Sequence, residues 1–159
     1  PDDFNVLEPS QISTIKASDG TQIAQFYAEN RIVVPLSEIS PTVQNAIIAV
    51  EDQRFYQHKG VDPTGIIRAV VSNANGGSQG ASTLTQQYVR NVLVEAAIQK
   101  DDTAAQSAAT ARSTARKIRE IKYALTLEQR YSKQQILEGY LNIAAFGPST
   151  YGVEASARH

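Results

Sequence analysis

The chain has 159 residues, 42% of them apolar and 19% charged, and a formal net charge of −1. That is one domain's length, enough to bury roughly two-thirds of the unfolded surface, and the balance excludes a disordered chain and a global basic field for nucleic acid. The absence of Cys excludes disulfides and cysteine-ligated metal.

Met is absent as well, so Pro1 is read as a boundary inside a longer protein, with any membrane anchor upstream of it. Residues 11 to 27, QISTIKASDGTQIAQFY, alternate β-branched or aromatic with polar residues about Asp19-Gly20, which is a hairpin pattern. From there the signal is helical. Ser40-Pro41 caps a first helix with Val43, Ala46, Ile47 and Val50 at helical spacing. Asp62-Pro63 starts a second, carrying Ile66, Ile67 and Val70. Residues 72 to 80, SNANGGSQG, read as a flexible loop. A third helix runs from near Ser82 to about Ala97. The polar, Ala-rich stretch QKDDTAAQSAATARSTA has no apolar period and is predicted to be poorly packed or mobile. A fourth helix spans about Ala115 to Arg130, with Ile118, Ile121 and Leu125 on one stripe. Ser132 to Gln135 is a capping box for a fifth, bearing Ile136, Leu137, Tyr140 and Leu141. The closing YGVEASARH reads as a helix cut short. No apolar run approaches the eighteen or so residues that span a bilayer.

Four stretches carry candidate chemistry. In AVEDQRFYQHKG, residues 49 to 60, Glu51 shares a helix side with Ile47 and Ile48. A carboxylate beside an apolar face is expected to be desolvated and its pKa raised towards that of a useful base. Asp52 points about 100° further round, into different surroundings. The alternative is a pair of helix-end acids bound to Arg54 or Lys59. Phe55 and Tyr56 are expected in the core, and His58 is expected to hold the turn before Gly60.

In GASTLTQQYVRN, residues 80 to 91, a glycine-bearing loop feeds a helix start, whose free amides and dipole suit a phosphate. Thr83, Gln87 and Arg90 line one face with donors only; the alternative is a capped helix with a solvated face. In RKIREIKYALTLEQR, residues 116 to 130, the cations Arg116, Lys117, Arg119 and Lys122 surround Glu120. They suit a diphosphate, or else form an intrahelical salt-bridge ladder. In SKQQILEGYLN, Glu138 and Asn142 lie opposite Ile136 and Tyr140, which taken alone is an ordinary amphipathic helix.

In their order, EDQRFYQHKG, GASTLTQQYVRN, RKIREIKYALTLE and SKQQILEGYLN resemble the motifs of the peptidoglycan glycosyltransferase family. That family comprises the transglycosylase domains of class A penicillin-binding proteins and the monofunctional transglycosylases. FGPSTYGVEASARH looks like the start of its fifth motif, so the resemblance runs from Ile32 onward. It implies a mainly α, lysozyme-like, two-lobed fold, with residues 1–31 as linker and β-hairpin and residues 32–159 as the glycosyltransferase domain, C-terminally truncated. It implies that lipid II is polymerised into β-1,4-linked glycan strands with inversion and release of undecaprenyl pyrophosphate. The work would be done at the extracytoplasmic face of the bacterial plasma membrane. A C-terminal transpeptidase domain is expected in a bifunctional protein, and none in a monofunctional one. Nucleic acid is not an expected partner.

Position by position, the resemblance implies that Glu51 is the base for the acceptor 4-hydroxyl and Glu120 the second important acid. Asp52, Ser82, Thr83, Gln86, Gln87, Arg90, Arg116 and Lys117 fall on substrate-binding positions, the basic pair Arg116 and Lys117 on the pyrophosphate. Phe55, His58, Gly60, Glu138 and Asn142 fall on structural positions. The residues fit the reaction, because pyrophosphate leaves readily and what remains to supply is a base and cations. A divalent cation, Mg or Mn, would share the second task, although no dedicated ligand set is visible. The chain departs from the family pattern with GAS in place of GGS, Arg90 in place of Lys, and a longer segment between the second and third motifs. The competing readings are a lysozyme-like hydrolase, which has no need of a pyrophosphate clamp, and a non-catalytic membrane- or partner-binding module, against which Glu51 and Glu120 both stand.

Overall fold

A computed structural model describes residues 13–16, 22–26, 30–31, 33–77, 80–147 and 150–157. Strands β1 (Ser13–Lys16) and β2 (Gln22–Phe26) pair antiparallel, Ser13 opposite Phe26 and Ile15 opposite Ala24. The Asp19-Gly20 turn predicted between them lies outside the described residues. A small sheet joins the two ends of the chain: β3 (Asn30–Arg31) runs parallel to β5 (Thr150–Tyr151), which pairs antiparallel with β4 (Ala145–Gly147).

The rest is helical: α1 (Pro41–Glu51), α2 (Pro63–Ala74), α3 (Leu84–Gln99), α4 (Thr103–Thr110), α5 (Thr114–Arg130), α6 (Lys133–Ile143) and α7 (Val153–Ala157). Their starts follow the sequence closely. The Ser40 hydroxyl accepts from the Thr42 amide with Pro41 at the first position, Thr83 caps α3, and Ser132 and Gln135 form the reciprocal capping box of α6. Two predicted irregular stretches are partly or wholly helical. α2 continues to Ala74, because the Asn75 side-chain amide donates to the Val71 carbonyl and the Gly77 N–H to the Ser72 carbonyl, each at 2.9 Å. Gly76, at φ +82°, then ends the helix. The Ala-rich stretch forms α4, capped by Asp102, whose carboxylate accepts from the Ala105 amide at 2.9 Å. Alanine needs no apolar period to be helical, and α4 packs on α3, with Ala109 buried.

The core gathers around α6. Ile136, Leu137, Tyr140 and Leu141 are buried against Phe55, Leu84, Val89, Ala124 and Leu127. Each large apolar side chain contributes roughly 1.5–3 kcal/mol by burial. Phe55 is fully buried as predicted, but its neighbour Tyr56 is 54% exposed. The Tyr56 ring meets Phe55 only edge-on, at 5.1 Å between centroids.

The apolar stripes predicted for α2 and α5 largely turn away from this core, whereas Val43 and Ile47 of α1 are partly buried against it. Ile66, Ile67 and Val70 of α2 are exposed, as are Ile118 and Leu125 of α5, while α1 buries no residue fully and leaves Val50 79% exposed. The buried positions are Gly65 and Ala69 on α2 and Glu120, Ala124 and Leu127 on α5. Small residues permit a close approach that large ones would block. At Gly60, itself at φ +82°, an added Cβ would stand 2.9 Å from the Ala124 carbonyl group.

α6 also holds the chain that leads into α1. Asn142 accepts from the Val34 amide at 3.0 Å and donates to the Val34 carbonyl at 2.9 Å, and Glu138 accepts from the Leu36 amide at 2.8 Å. These contacts are what a partner strand would offer, which accounts for the acid and amide four residues apart. Asn142→Leu keeps the volume but strands both Val34 groups. A loss of about 1–3 kcal/mol in denaturant unfolding is expected, and a change below about 0.5 kcal/mol would refute this role.

Candidate active site

Glu51 is the last residue of α1 and Asp52 its C-cap, at φ −159° and ψ 75°. The break in the helix sends the two carboxylates in opposite directions. Glu51 is exposed and Asp52 is buried. This reverses the expected desolvation of Glu51. Ile47 and Ile48 are half-buried against the core, and Glu51 follows them at an exposed helix end. Asp52 instead accepts from His58 Nε2, at 2.8 and 3.0 Å to its two oxygens, and from the Leu84 amide at 2.9 Å. Neither acid takes Arg54, whose Nε lies 3.5 Å from Asp62.

Asp52 therefore occupies the start of α3. The free helix amides predicted there for a phosphate are engaged by the protein itself: Leu84 N–H by Asp52, and Gln86 N–H by the Thr83 hydroxyl at 3.2 Å. Thr83 and Gln86, expected to touch substrate, are buried and both donate to the Gly60 carbonyl at 2.9 Å. The contacts of Asp52, Thr83 and Gln86 thus lock three segments together: the end of α1, the loop through His58 and Gly60, and the start of α3.

Two features open from this frame. The first is Glu51, whose Oε2 accepts from Gln87 Nε2 at 3.0 Å. Gln87 Oε1 accepts in turn from the Tyr140 hydroxyl at 3.3 Å. Burial, reinforced by the charge of Glu51, pushes the Tyr140 hydroxyl up to about 12, so it remains a proton donor. Periodicity placed Tyr140 on the apolar stripe of its helix and so missed it as a site residue. Its signal was the hydroxyl, which needs a partner when the ring is buried.

The second is a cation cluster. Glu120 is 1% exposed. Arg90 of α3 donates to both its oxygens, at 2.7 and 3.2 Å, and Arg116 donates to Oε1 from one turn earlier on α5. Lys117 Nζ lies 3.8 Å from Oε2 and donates to Ser82 Oγ and Gln86 Oε1, each at 2.6 Å. Arg119 and Lys122, expected in this cluster, are exposed. They lie on other faces of α5, and Arg90 from α3 takes their part.

Three cations thus meet one carboxylate. Burial lowers the Lys117 pKa below the ordinary lysine value; Glu120 opposes that shift, while Arg90 and Arg116 add to it. The cluster is short of negative charge, which suits an incoming anion. The same charges repel a divalent cation from the protein side, since the Glu120 oxygens already accept from two guanidiniums. Among the described residues, no group of three or more His, Cys, Asp or Glu side chains could hold a metal.

Burial alone would raise the pKa of Glu120, but hydrogen bonds from Arg90 and Arg116, together with their charges, outweigh burial and hold the carboxyl below its ordinary 4.5. Its stabilising contribution is full above that unfolded value and is lost as pH falls through the lower folded one. Stability measured against pH is expected to decline below about pH 4.5. Glu120→Gln should flatten that limb, and an unchanged limb in the variant would contradict the pairing.

Along α3, Gln87 and Arg90 are three residues apart and so lie one turn from each other, roughly 5–6 Å between Cβ atoms. One holds the exposed carboxylate and the other the anion-seeking cluster. The arrangement can take a proton at one end and bind a developing negative charge at the other.

The transglycosylase family model matches residues 19–159. The chain is 39% identical over 155 residues to penicillin-binding protein 2D of Bacillus subtilis (strain 168), covering 96% of the chain and 20% of that protein. It is 42% identical over 146 residues to penicillin-binding protein 1A of Escherichia coli (strain K12), covering 91% of the chain and 16% of that protein. It is 40% identical over 155 residues to penicillin-binding protein 1A of Mycobacterium tuberculosis (strain ATCC 25618 / H37Rv), covering 96% and 18%. The chain spans about a fifth of the length of the curated relatives it matches.

Proposed function

The chain belongs to the transglycosylase family, and from that premise we propose that it is a peptidoglycan glycosyltransferase domain of bacterial cell wall synthesis. It polymerises lipid II into β-1,4-linked glycan by an inverting, in-line displacement that releases undecaprenyl pyrophosphate. The observation that carries this reading is the pairing, one turn apart on α3, of an exposed carboxylate with an under-neutralised cation cluster. Glu51 takes the proton of the acceptor 4-hydroxyl. Arg90, Arg116 and Lys117 receive the pyrophosphate and stabilise the charge that grows on it as the anomeric bond breaks. Any Mg or Mn ion would ride on the pyrophosphate oxygens, and no step here requires it.

A hydrolase reading meets a specific obstacle. An inverting glycosidase needs a protonated carboxylic acid for its leaving group, whereas Glu120 is held ionised by two arginines. Pyrophosphate leaves without such an acid.

The helices form a lysozyme-like, two-lobed domain over residues 32–159, with residues 1–31 as its lead-in. No helix of the described residues is long and apolar enough to cross a membrane. Val50 on α1 and Ile67, Val70 and Val71 on α2 are exposed apolar side chains. They support a surface resting on the extracytoplasmic face of the plasma membrane, where the lipid tail of the substrate lies. The full-length protein carries further domains, a transpeptidase among them. Incubating the full-length protein with lipid II tests the reading: elongation to long glycan is expected, whereas cleavage of preformed glycan without elongation would overturn it.

A further inference from the structure

The contacts of Glu51 extend past the helix that bears it. Gln87 is the group that touches its carboxylate, and an amide can present either its N–H or its C=O. Only the N–H suits a carboxylate; a carbonyl turned towards Glu51 sets oxygen against oxygen and leaves the base without a hydrogen bond to hold it. Nothing in the sequence spacing of Gln87 decides between the two faces. In the structure the N–H faces Glu51 Oε2, and the Tyr140 hydroxyl donates to the Gln87 Oε1 left on the other side, at 3.3 Å.

We propose that Tyr140 is a positioning residue for Glu51, acting through Gln87: its hydroxyl holds the Gln87 carbonyl so that the amide N–H always faces Glu51 Oε2. Three elements are thereby linked in one hydrogen-bonded chain, with Glu51 at the end of α1, Gln87 on the second turn of α3, and Tyr140 on α6. Tyr140 suits this task because its ring is buried within the core cluster, so its hydroxyl has a fixed location. Gly139 beside it lets α6 lie against Tyr88 of α3, where any Cβ would run into the Tyr88 ring. That close approach keeps α3 and α6 in the register the relay needs. The hydroxyl itself never touches substrate, and its effect is on the orientation of the base and not on binding.

This inference rests on Glu51 as the base, and the test separates the two claims. Tyr140→Phe, Gln87→Leu, the double variant and Glu51→Gln are compared in the full-length protein with lipid II as substrate. The ring of Tyr140→Phe still fills its site, so thermal melting should be unchanged. Its kcat is expected to fall roughly tenfold with KM held within about twofold, the signature of a misoriented group and not of lost binding. The double variant should be no slower than Gln87→Leu alone, because a residue that acts only through Gln87 has nothing left to act on. Full kcat in Tyr140→Phe, or a further tenfold loss in the double variant, overturns the relay while Glu51→Gln remains inactive. Turnover in Glu51→Gln would instead overturn the assignment of the base.

Discussion

Glu51→Gln is expected to cut polymerisation of lipid II by roughly 10²–10⁴-fold, the usual contribution of a general base, while leaving the fold and lipid II binding intact. The expectation of an intact fold follows from exposure. Glu51 lies at the surface end of α1 and makes a hydrogen bond to Gln87 that a glutamine oxygen can still accept. Binding should survive because the cations that hold the pyrophosphate group centre on Glu120 and not on Glu51. The loss should therefore appear in kcat with KM little changed. Retained turnover would remove Glu51 from the mechanism. A parallel fall in melting temperature would make its role structural.

Glu120→Ala should fail in the opposite way. It removes the one carboxylate that Arg90, Arg116 and Lys117 share, leaving three cations to repel one another in a half-covered site. Deleting one partner of a buried ion pair commonly costs 3–5 kcal/mol. The side chains of Arg90 and Lys117 are about one-third exposed, so about 3 kcal/mol is expected here. That corresponds to a melting temperature lower by roughly 6–12 °C for a domain of this size. Inorganic pyrophosphate should restore part of this stability, and more of it than it adds to the wild-type protein, because it supplies the missing charge to the folded state alone. Polymerisation should be lost even at temperatures where the variant is folded, since the cations no longer hold one geometry. Equal stabilisation of both proteins by pyrophosphate would mean that the anion binds elsewhere.

These two acids also mark how far the sequence could be read. The four motifs, the helix starts and their caps were legible because each depends on neighbours within four residues: Ser40 with Pro41, Ser132 with Gln135, Arg116 with Glu120. Periodicity also separated one helix face from another. It could not say which face would be covered. On α5 the large residues Ile118 and Leu125 suggested the inward side, yet that side carries Glu120 and Ala124. Glu120 can be buried there because Arg90, 30 residues away on another helix, satisfies it, and no local pattern announces such a pairing.

Glu51 and Asp52 do see different surroundings, but the acid expected to be desolvated is the exposed one, for a related reason. An angular step of 100° assumes that the helix continues, whereas it ends at Asp52, whose backbone turns the carboxylate inward to His58 and Leu84. The predicted phosphate cradle at the start of α3 failed with it, since Asp52 fills that place. The anion site moved to side chains, Arg116 and Lys117 of the third motif and Arg90 of the second. Tyr140 was hidden because one hydroxyl hardly disturbs an apolar stripe.

The central claim is a single in-line displacement in which Glu51 accepts a proton and forms no bond to sugar. The anomeric configuration of glycan made by the full-length protein from α-linked lipid II tests it most directly, read by nuclear magnetic resonance on the isolated strands. Inversion to uniformly β-linked product is the predicted result. Retention of the α configuration, or a sugar captured covalently on Glu51, would contradict it.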